Sequence, residues 1–266
     1  MFPGGARVRP ELTLAIAAAC GEPSGELADR AAAAIELLHC ASLVHDDLPC
    51  FDDAAVRRGR PSVHARFGEP LAVLAGDALI VHALDAVCEL VPAYPRRGPI
   101  VMRVVAAGVG AAGGIIAGQA WESEPSVDLR RYQRAKTGAL FEAAILAGAA
   151  SAGAPLDRWR NMGRLLGEAY QIADDIADVF ASGAALGKPV GQDRAHQRPS
   201  AVRELDIETA TRRLNDVLEA ARDAVPRCAG REALRQRFAA ITKAHLSRIA
   251  PPRATSAARP PVKRLS

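Results

Sequence analysis

Long alanine-rich stretches are the feature that most restricts how this chain can fold. Segments rich in Ala, Leu and Val recur along it, whereas aromatic residues make up only 4% of the sequence. Alanine loses no side-chain entropy on entering a helix and therefore favours helices. The alternation of β-branched or aromatic residues with polar ones that marks strands is almost absent. We therefore predict an all-α fold, a single-domain helical bundle over residues 1–250.

Helix-capping and helix-breaking residues predict where the helices begin and end. Pro10 suits a first helical turn, Gly21 suits a helix end, and Asp157 suits an N-cap. The predicted helices cover approximately Pro10–Cys20, Gly25–Leu48, Pro70–Leu90, Ile100–Gln119, Leu129–Ala150, Arg158–Phe180, Ile207–Ala224 and Arg231–Ile249. The main predicted loops are Asp52–Val63, Val91–Pro99 and Ser182–Pro199.

The excess positive charge of the chain is concentrated at its C-terminus. The chain has 34 Lys and Arg against 30 Asp and Glu, and the excess is carried by Arg253, Arg259, Lys263 and Arg264. Residues 251–266 are rich in Pro and Arg and contain no acid, so we predict a basic, disordered tail. Because the rest of the chain has no basic stripe, we expect no nucleic-acid partner.

Cysteine usage and hydropathy indicate where the protein is expected to act. The five cysteines are odd in number and contain no CxxC pair, which is typical of a reducing cytoplasm rather than of disulfides or zinc. The first ten residues lack the apolar segment of a signal peptide. Val104–Ala120 resembles a membrane span but is short and interrupted by glycines. Its GxxxG spacing would suit a membrane dimer, but we interpret it as a core helix and expect a cytoplasmic protein without a membrane span.

Two clusters of carboxylates carry the chemical signal. The first, HDDLPCFDD, covers residues 45–53 at the end of the second predicted helix. The second lies within a predicted helix, where Gln171, Asp174, Asp175 and Asp178 follow an i, i+3, i+4, i+7 spacing and share one face. The residues flanking this face are apolar, so the helix is expected to be largely buried.

Adjacent carboxylates on a buried helix repel one another and lose hydration, so their charge must be neutralised. Either several Arg and Lys side chains or metal ions could do so. Ligation by carboxylate oxygens alone favours Mg²⁺, shared with a phosphorylated substrate.

Basic residues near the acid clusters strengthen this interpretation. Arg57-Arg58-Gly59 follows the first cluster, Lys136-Thr137-Gly138 lies between the clusters, and Lys188 lies in a Gly-containing loop. Such cations suit phosphate oxygens shared with metal ions, although each alone is more often a surface charge. His39 and Ser42 lie on the same helical face as Asp46, but the spacing of His39 also fits a buried structural histidine.

The ordered motifs resemble those of the trans-isoprenyl diphosphate synthases, and in particular the geranylgeranyl diphosphate synthases of bacterial carotenoid and bacteriochlorophyll pathways. The matching stretches are FPGGARVRP, LLHCASLVHDDLPCFDDAAVRRGRPSVH, LAGDAL, GGIIAGQAWESE, KTGALF, AYQIADDIAD and GKPVGQDRAHQRPSAV. This family resemblance implies helices around a deep central cavity, an isoprenoid synthase fold, and a homodimer.

The resemblance also implies roles for individual residues. Magnesium, with three ions per site, would be held by the acids of both motifs: Asp46, Asp47, Asp52, Asp174 and Asp178, with Asp175 as a further catalytic acid of the second motif. The allylic diphosphate would be bound by Arg57, Lys136, Thr137, Gln171, Lys188 and Arg198, with Lys136 also catalytic. Isopentenyl diphosphate would be bound by Arg9, His39 and Arg58.

Product length is expected to depend on the residues one helical turn before the first motif. If the diphosphate is held at Asp46, the hydrocarbon runs towards the N-terminus of that helix, and one turn of about 5.4 Å matches one five-carbon unit. Ala41 and Ser42 occupy this position, where relatives that stop at fifteen carbons carry an aromatic ring. Two small residues therefore predict a twenty-carbon product.

Three other functions stay open on the sequence alone. A class I terpene cyclase also uses an acid-rich helix and Mg²⁺, but the second acid motif and the basic set favour condensation with isopentenyl diphosphate. A farnesyl diphosphate synthase is the nearest enzymatic alternative. A regulatory subunit of a heteromeric synthase is the alternative that is not an enzyme, and retention of both acid motifs argues against it.

Overall fold

The described part of the chain consists almost entirely of helices, as predicted. The computed structural model describes residues 5–21, 25–180 and 207–249. Its elements are α1 (Val8–Ala19), α2 (Glu26–Asp46), β1 (Val56–Arg57), β2 (Arg60–Pro61), α3 (Val63–Phe67), α4 (Glu69–Cys88), α5 (Gly98–Val109), α6 (Ile115–Trp121), α7 (Leu129–Gln133), a π-helical turn (Arg134–Gly138), α8 (Ala139–Ser151), α9 (Asp157–Phe180), α10 (Ile207–Asp223) and α11 (Arg231–Ile249). The predicted tail lies outside these residues.

Helix α8 lies at the centre of the bundle, because it packs against α1, α2, α5 and α9. Nearly all of its residues are buried, and most of them are Ala, Gly or other small apolar residues. Small side chains allow close approach: a Cβ atom on Gly108 of α5 would lie 2.6 Å from Cβ of Ala143. The alanine-rich composition thus produces tight helix packing around a small-residue core.

The predicted helix Ile100–Gln119 is in fact two helices, α5 and α6. The prediction of one continuous helix was therefore wrong. The chain turns between them at residues 110–114, where three of the five residues are glycine. A Cβ atom on Gly114 would lie 2.5 Å from the backbone nitrogen of Gly110. The close backbone contact requires glycine and ends the first helix.

The predicted loop Asp52–Val63 contains a two-residue β-hairpin followed by the short helix α3. Strands β1 and β2 are antiparallel, with Arg57 opposite Arg60. The connecting residues Arg58 and Gly59 have φ values of 53° and 73°. Positive φ at both positions is the requirement of a type I′ turn, which glycine adopts without strain and arginine adopts rarely.

Helix α4 exposes much of its apolar surface. It is the one helix within residues 5–21, 25–180 and 207–249 with the length and composition of a membrane span, and 22% of its most apolar window is buried. One such helix is weak support for a membrane span, because the core helix of a soluble protein or a signal sequence passes the same test. Leu71, Leu74 and Val81 lie on one face of it and are exposed.

Candidate active site

The first acid cluster forms where α2 ends and the chain folds back over its own last turn. The amide of Asp52 donates to the carbonyl of Asp46 at 3.0 Å, and the amide of Ala54 donates to the carbonyl of Asp47 at 3.1 Å. These bonds satisfy carbonyls that have no partner inside the helix. They also bring Asp52 next to Asp46, although five residues separate the two in sequence.

The β-hairpin places Arg57 against this cluster. Its Nε donates to Oδ1 of Asp47 at 2.8 Å, and its Nη2 also contacts Asp47 and lies 3.6 Å from Oδ2 of Asp46. Arg57 and Asp47 are both buried. Burial raises the pKa of the Asp47 carboxyl, while the hydrogen bond from Arg57 opposes that shift.

The two adjacent acids therefore have different environments. The Asp46 side chain is 18% exposed, whereas that of Asp47 is 3% exposed and held by Arg57. The Asp46 carboxylate is thus the more accessible of the two to a cation or a substrate. The predicted metal-binding role of Asp47 stays a prediction, and its immediate structural role is to hold Arg57.

Lys136 reaches the first cluster from the π-helical turn. Its Nζ lies 3.3 Å from Oδ1 of Asp46, and it also pairs with Glu122. Single π-helical turns inside α-helices frequently occur at functional sites. The motif resemblance assigns no role to Glu122, although this residue lies within the stretch GGIIAGQAWESE. Its pairing with a predicted substrate-binding lysine could not be inferred from local spacing.

Helix α9, which carries the second acid cluster, packs against the π-helical turn. A Cβ atom on Gly167 of α9 would lie 2.6 Å from Cα of Gly138, so this face of α9 packs on the turn that carries Lys136. Asp174 lies seven residues further on, on the same face and about 10 Å along the helix axis. The π-helical turn is therefore in contact both with α9, which carries the second cluster, and, through Lys136, with Asp46 of the first.

Within the second cluster, only Asp174 is exposed among the acids whose side chains are described. Asp175 is buried, and the Gln171 amide donates to its Oδ1 at 2.7 Å. Asp178 lies in α9, but its side chain is outside the described part of the chain. Lys188 and Arg198 also lie outside the described residues, so their predicted roles stay predictions.

Arg9, His39 and Arg58 lie close enough together on the α1 side of the site to interact electrostatically. The charges of Arg9 and Arg58 both act on His39, and burial is the largest cause that holds the pKa of His39 well below 6.5. A Cβ atom on Gly5 would lie 2.7 Å from Nη1 of Arg58, so the N-terminal backbone lies against this guanidinium. The residues that the resemblance assigns to isopentenyl diphosphate thus lie near one another.

Arg9 has unused hydrogen-bonding capacity. Its guanidinium lies over the Phe141 ring at 4.1 Å, and its buried Nε has no hydrogen-bond partner. Buried polar atoms are rarely left without a partner, so such an atom is consistent with a site for an anion.

The lowered pKa of His39 predicts a stability loss in mild acid. A folded-state pKa below the unfolded value of about 6.5 means that the unfolded chain binds the proton more readily, so stability falls as the pH drops below about 6.5. Between pH 7.5 and 5.5 we expect the wild type to lose about 1 kcal/mol more unfolding free energy than His39→Gln. Urea unfolding of both proteins at both pH values measures this difference; equal losses would contradict it.

The residues predicted to set product length lie one turn below Asp46, as expected from a continuous α2. Ala41 is buried, and Ser42 is half-buried with its Oγ donating to the carbonyl of His39 at 2.8 Å.

Thr137 lies in the π-helical turn and is half-buried.

The described acids are not already gathered into a metal cage. Within the described residues, no group of three His, Cys, Asp or Glu side chains converges as a metal site. The accessible carboxylates of Asp46 and Asp174 nevertheless supply hard oxygen donors of the kind that Mg²⁺ prefers, and Mg²⁺ commonly takes only one or two carboxylates together with substrate phosphates. The donor set fits magnesium bound together with a diphosphate.

A separate open cavity of about 700 Å³ is lined in part by Arg134 and Ala135 of the π-helical turn. It is lined by parts of α5, α8 and α9, with Arg131, Arg134 and Arg160 at its polar side. None of the predicted site residues lines it, and Glu142 pairs with Arg134 and Arg160 there. Its position away from both acid clusters separates it from the candidate active site.

Comparison with known proteins identifies the family. The polyprenyl synthetase family model matches residues 1–232. This chain belongs to the polyprenyl synthetase family.

Named relatives of this polyprenyl synthetase are enzymes. The geranylgeranyl diphosphate synthase of Cereibacter sphaeroides is 50% identical over 228 residues, which cover 86% of this chain and 79% of the relative. The farnesyl diphosphate synthase of Escherichia coli is 37% identical over 240 residues, covering 85% and 79%. The sequence-based recognition of the family and of an enzyme is confirmed.

Solved structures confirm the fold of this polyprenyl synthetase. A geranyltransferase from Helicobacter pylori, complexed with magnesium and isoprenyl diphosphate, superposes with a TM-score of 0.76 at 27% identity. The match covers 92% of this chain and 84% of that one. The predicted helical isoprenoid synthase fold is therefore correct.

Proposed function

We propose that this polyprenyl synthetase condenses isopentenyl diphosphate with an allylic diphosphate to make geranylgeranyl diphosphate. The observation that carries the choice of product is the pair of small residues, Ala41 and Ser42, one turn below Asp46. The 50% identity to a geranylgeranyl diphosphate synthase supports the same product. The expected allylic substrates are dimethylallyl, geranyl or farnesyl diphosphate.

Lys136 and Arg57 are positioned to receive the allylic diphosphate. Nη2 of Arg57 lies 3.6 Å and Nζ of Lys136 lies 3.3 Å from the Asp46 carboxylate, so both positive charges are next to the first acid cluster. Magnesium bound at Asp46, Asp52 and Asp174 would neutralise charge that develops on the departing diphosphate. We propose three ions per site, in keeping with the family resemblance. Asp47, also predicted to bind magnesium, would in addition hold Arg57 in place.

Arg9, Arg58 and neutral His39 would hold isopentenyl diphosphate in a fixed orientation. In the reaction the carbon–oxygen bond of the allylic diphosphate breaks, and the double bond of isopentenyl diphosphate supplies the electron pair for the new carbon–carbon bond. A proton then leaves the adjacent carbon, with the released diphosphate as its acceptor. Fixed orientation of the two substrates converts a bimolecular reaction into an effectively unimolecular one.

Filling the space below Asp46 tests the product assignment. Ser42→Phe should shift the product from twenty to fifteen carbons, because the half-buried Ser42 lies on the same face of α2 as Asp46. Ala41 is fully buried, so Ala41→Tyr should also overpack the core, at a cost of about 1–3 kcal/mol. Chromatography and mass spectrometry of the dephosphorylated products give the chain length.

Leu37→Phe is the matched control for this experiment. Leu37 lies nine residues before Asp46 and therefore on the opposite face of α2. Its product should stay at twenty carbons. A Ser42→Phe enzyme that still makes twenty carbons would place the floor of the cavity elsewhere.

A farnesyl diphosphate synthase is the second candidate, because the Escherichia coli enzyme of that name is 37% identical. A wild-type enzyme that accumulates a fifteen-carbon product and does not extend farnesyl diphosphate would favour it. We further propose that the protein acts in the cytoplasm, where its described cysteines, all free, would stay reduced, and that its product supplies carotenoid synthesis.

We also propose a homodimer formed through α4. Leu74 and Val81, 61% and 64% exposed, lie with Leu71 on one face of this helix. An apolar face of this kind is expected to be buried against another surface rather than exposed to water. A second copy of the chain supplies an identical face in a symmetric interface.

Leu74→Asp should convert the dimer to a monomer, as measured by size-exclusion chromatography with light scattering. Leu14→Asp is the control, because Leu14 is an exposed apolar residue on α1 rather than on α4. The control should stay dimeric. A monomeric wild type, or a wild type that requires detergent and partitions into vesicles, would contradict an α4 dimer.

A further inference from the structure

Glu122, immediately after α6, is the carboxylate that holds Lys136. It pairs with Lys136 Nζ, and it accepts hydrogen bonds from the hydroxyl of Tyr132 and from Nε2 of Gln119, the latter at 2.9 Å. Its side chain is 10% exposed. A nearly buried carboxylate with several donors is fixed in place, and it therefore provides a fixed anchor for a flexible lysine.

The backbone around this ion pair is also tightly packed. A Cβ atom on Gly118 would lie 2.4 Å from the backbone nitrogen of Lys136 and 2.8 Å from its Cβ. The end of α6 and the π-helical turn therefore contact each other through backbone atoms. Glu122 follows Gly118 by one helical turn, so α6 supports both the backbone and the charged end of Lys136.

Lys136 is shared between two acids with different surroundings. Its Nζ lies 3.3 Å from Asp46, which is also close to Arg57, and it pairs with the more buried Glu122. Without Glu122, the ammonium group would have Asp46 as its nearest described anionic partner. The ammonium group would then lose one of the two carboxylates that fix its position for an allylic diphosphate.

We propose that Glu122 is a positioning residue, which holds the ammonium group of Lys136 beside Asp46 in the position that receives the allylic diphosphate. This inference rests on the proposed function of the site. It adds to that function a residue that does not itself contact substrate but determines how tightly the allylic substrate binds.

Glu122→Gln tests the proposal, because glutamine keeps the shape of the side chain and removes its charge. We expect the KM for geranyl diphosphate to rise about tenfold, the size of effect that loss of one charge-assisted hydrogen bond produces. The KM for isopentenyl diphosphate should change less than about twofold, because its proposed site is a separate one on the α1 side. Calorimetric binding of the thiolo analogue of geranyl diphosphate, which ionises poorly, should weaken by the same factor.

Two further variants keep the test decisive. Glu124→Gln is the matched control, because Glu124 is exposed two residues further on, and it should bind like the wild type. Glu122→Asp retains the charge on a shorter side chain and should recover most of the lost affinity. If Glu122→Gln does not fold, the intermediate affinity of Glu122→Asp together with weaker binding by Tyr132→Phe carries the same conclusion.

The possible results distinguish a failure of the proposed role of Glu122 from a failure of the proposed function of the site. A wild type that does not condense the two substrates would refute the proposed function. A wild type that condenses them, with Glu122→Gln indistinguishable from Glu124→Gln in KM and in analogue binding, would refute only the role of Glu122. Equal rises in both KM values would do so too, because they indicate a general structural defect.

Discussion

Asp46→Asn is expected to lower kcat/KM at least a hundredfold. Asp46 is the accessible carboxylate at which Lys136 and Arg57 converge, so its loss removes both a predicted metal ligand and the charge that organises two cations. A hundredfold loss corresponds to about 3 kcal/mol of transition-state stabilisation. Steady-state kinetics with isopentenyl and geranyl diphosphates measures the effect.

Asp174→Asn should give a loss of similar size, because the same diphosphate is expected to share metal ions with both acid clusters. Asp53→Asn is the control for both variants. Asp53 is the last residue of the first cluster but is exposed, and its Oδ1 lies 3.9 Å from Nε2 of His64. Near-normal turnover by Asp46→Asn or Asp174→Asn would contradict the two-cluster mechanism.

Arg57→Leu is expected to destabilise the protein by about 3 kcal/mol or more, because it leaves the buried Asp47 carboxylate without its cation. Burial already raises the pKa of Asp47, and loss of Arg57 should raise it further. A raised folded-state pKa for an acid means that stability is lost as the pH rises above about 4. The deficit should therefore be larger at pH 8 than at pH 5 in urea unfolding.

A double variant separates the lost charge pair from lost packing. Arg57→Leu with Asp47→Leu removes both charges and should recover much of the stability, because a buried ion pair can often be replaced by apolar residues. Arg60→Leu, opposite Arg57 in the hairpin but exposed, should change the unfolding free energy by less than about 0.5 kcal/mol. A double variant no more stable than Arg57→Leu would show that the pair itself is not the cause.

Local sequence patterns predicted the helices well, because a helix depends on residues three or four positions apart, and the predicted acid faces follow from the same period. The face shared by Gln171 and Asp174 is an example, since the helix period alone places them together. The same approach missed the break between α5 and α6. The glycines of this stretch argue against a membrane span. The turn between the two helices, however, depends on the close approach of the backbone at Gly110 and Gly114.

The difference between Asp46 and Asp47 could not be predicted from the motif. Both are adjacent acids at a helix end, and only the hairpin that returns Arg57 to Asp47 makes one buried and leaves the other partly exposed. That hairpin requires Arg58 to adopt a positive φ, which short-range propensity disfavours. Tertiary contacts therefore decide which acid has which surroundings.

The contact between Glu122 and Lys136 could not be predicted, for a related reason. It is fourteen residues from Lys136 in sequence, and the two meet only because α6 packs against the π-helical turn. A largely buried acid near a predicted catalytic lysine is visible once the fold is known. Nothing in the spacing of the two residues indicates it.

The most direct test of the central proposal is the product of the wild-type enzyme. Purified protein incubated with isopentenyl diphosphate, Mg²⁺ and, separately, dimethylallyl, geranyl or farnesyl diphosphate should convert each to a twenty-carbon diphosphate, identified by mass spectrometry, and excess chelator should abolish the reaction. A product that stops at fifteen carbons, cyclises without consuming isopentenyl diphosphate, or does not form at all would contradict it.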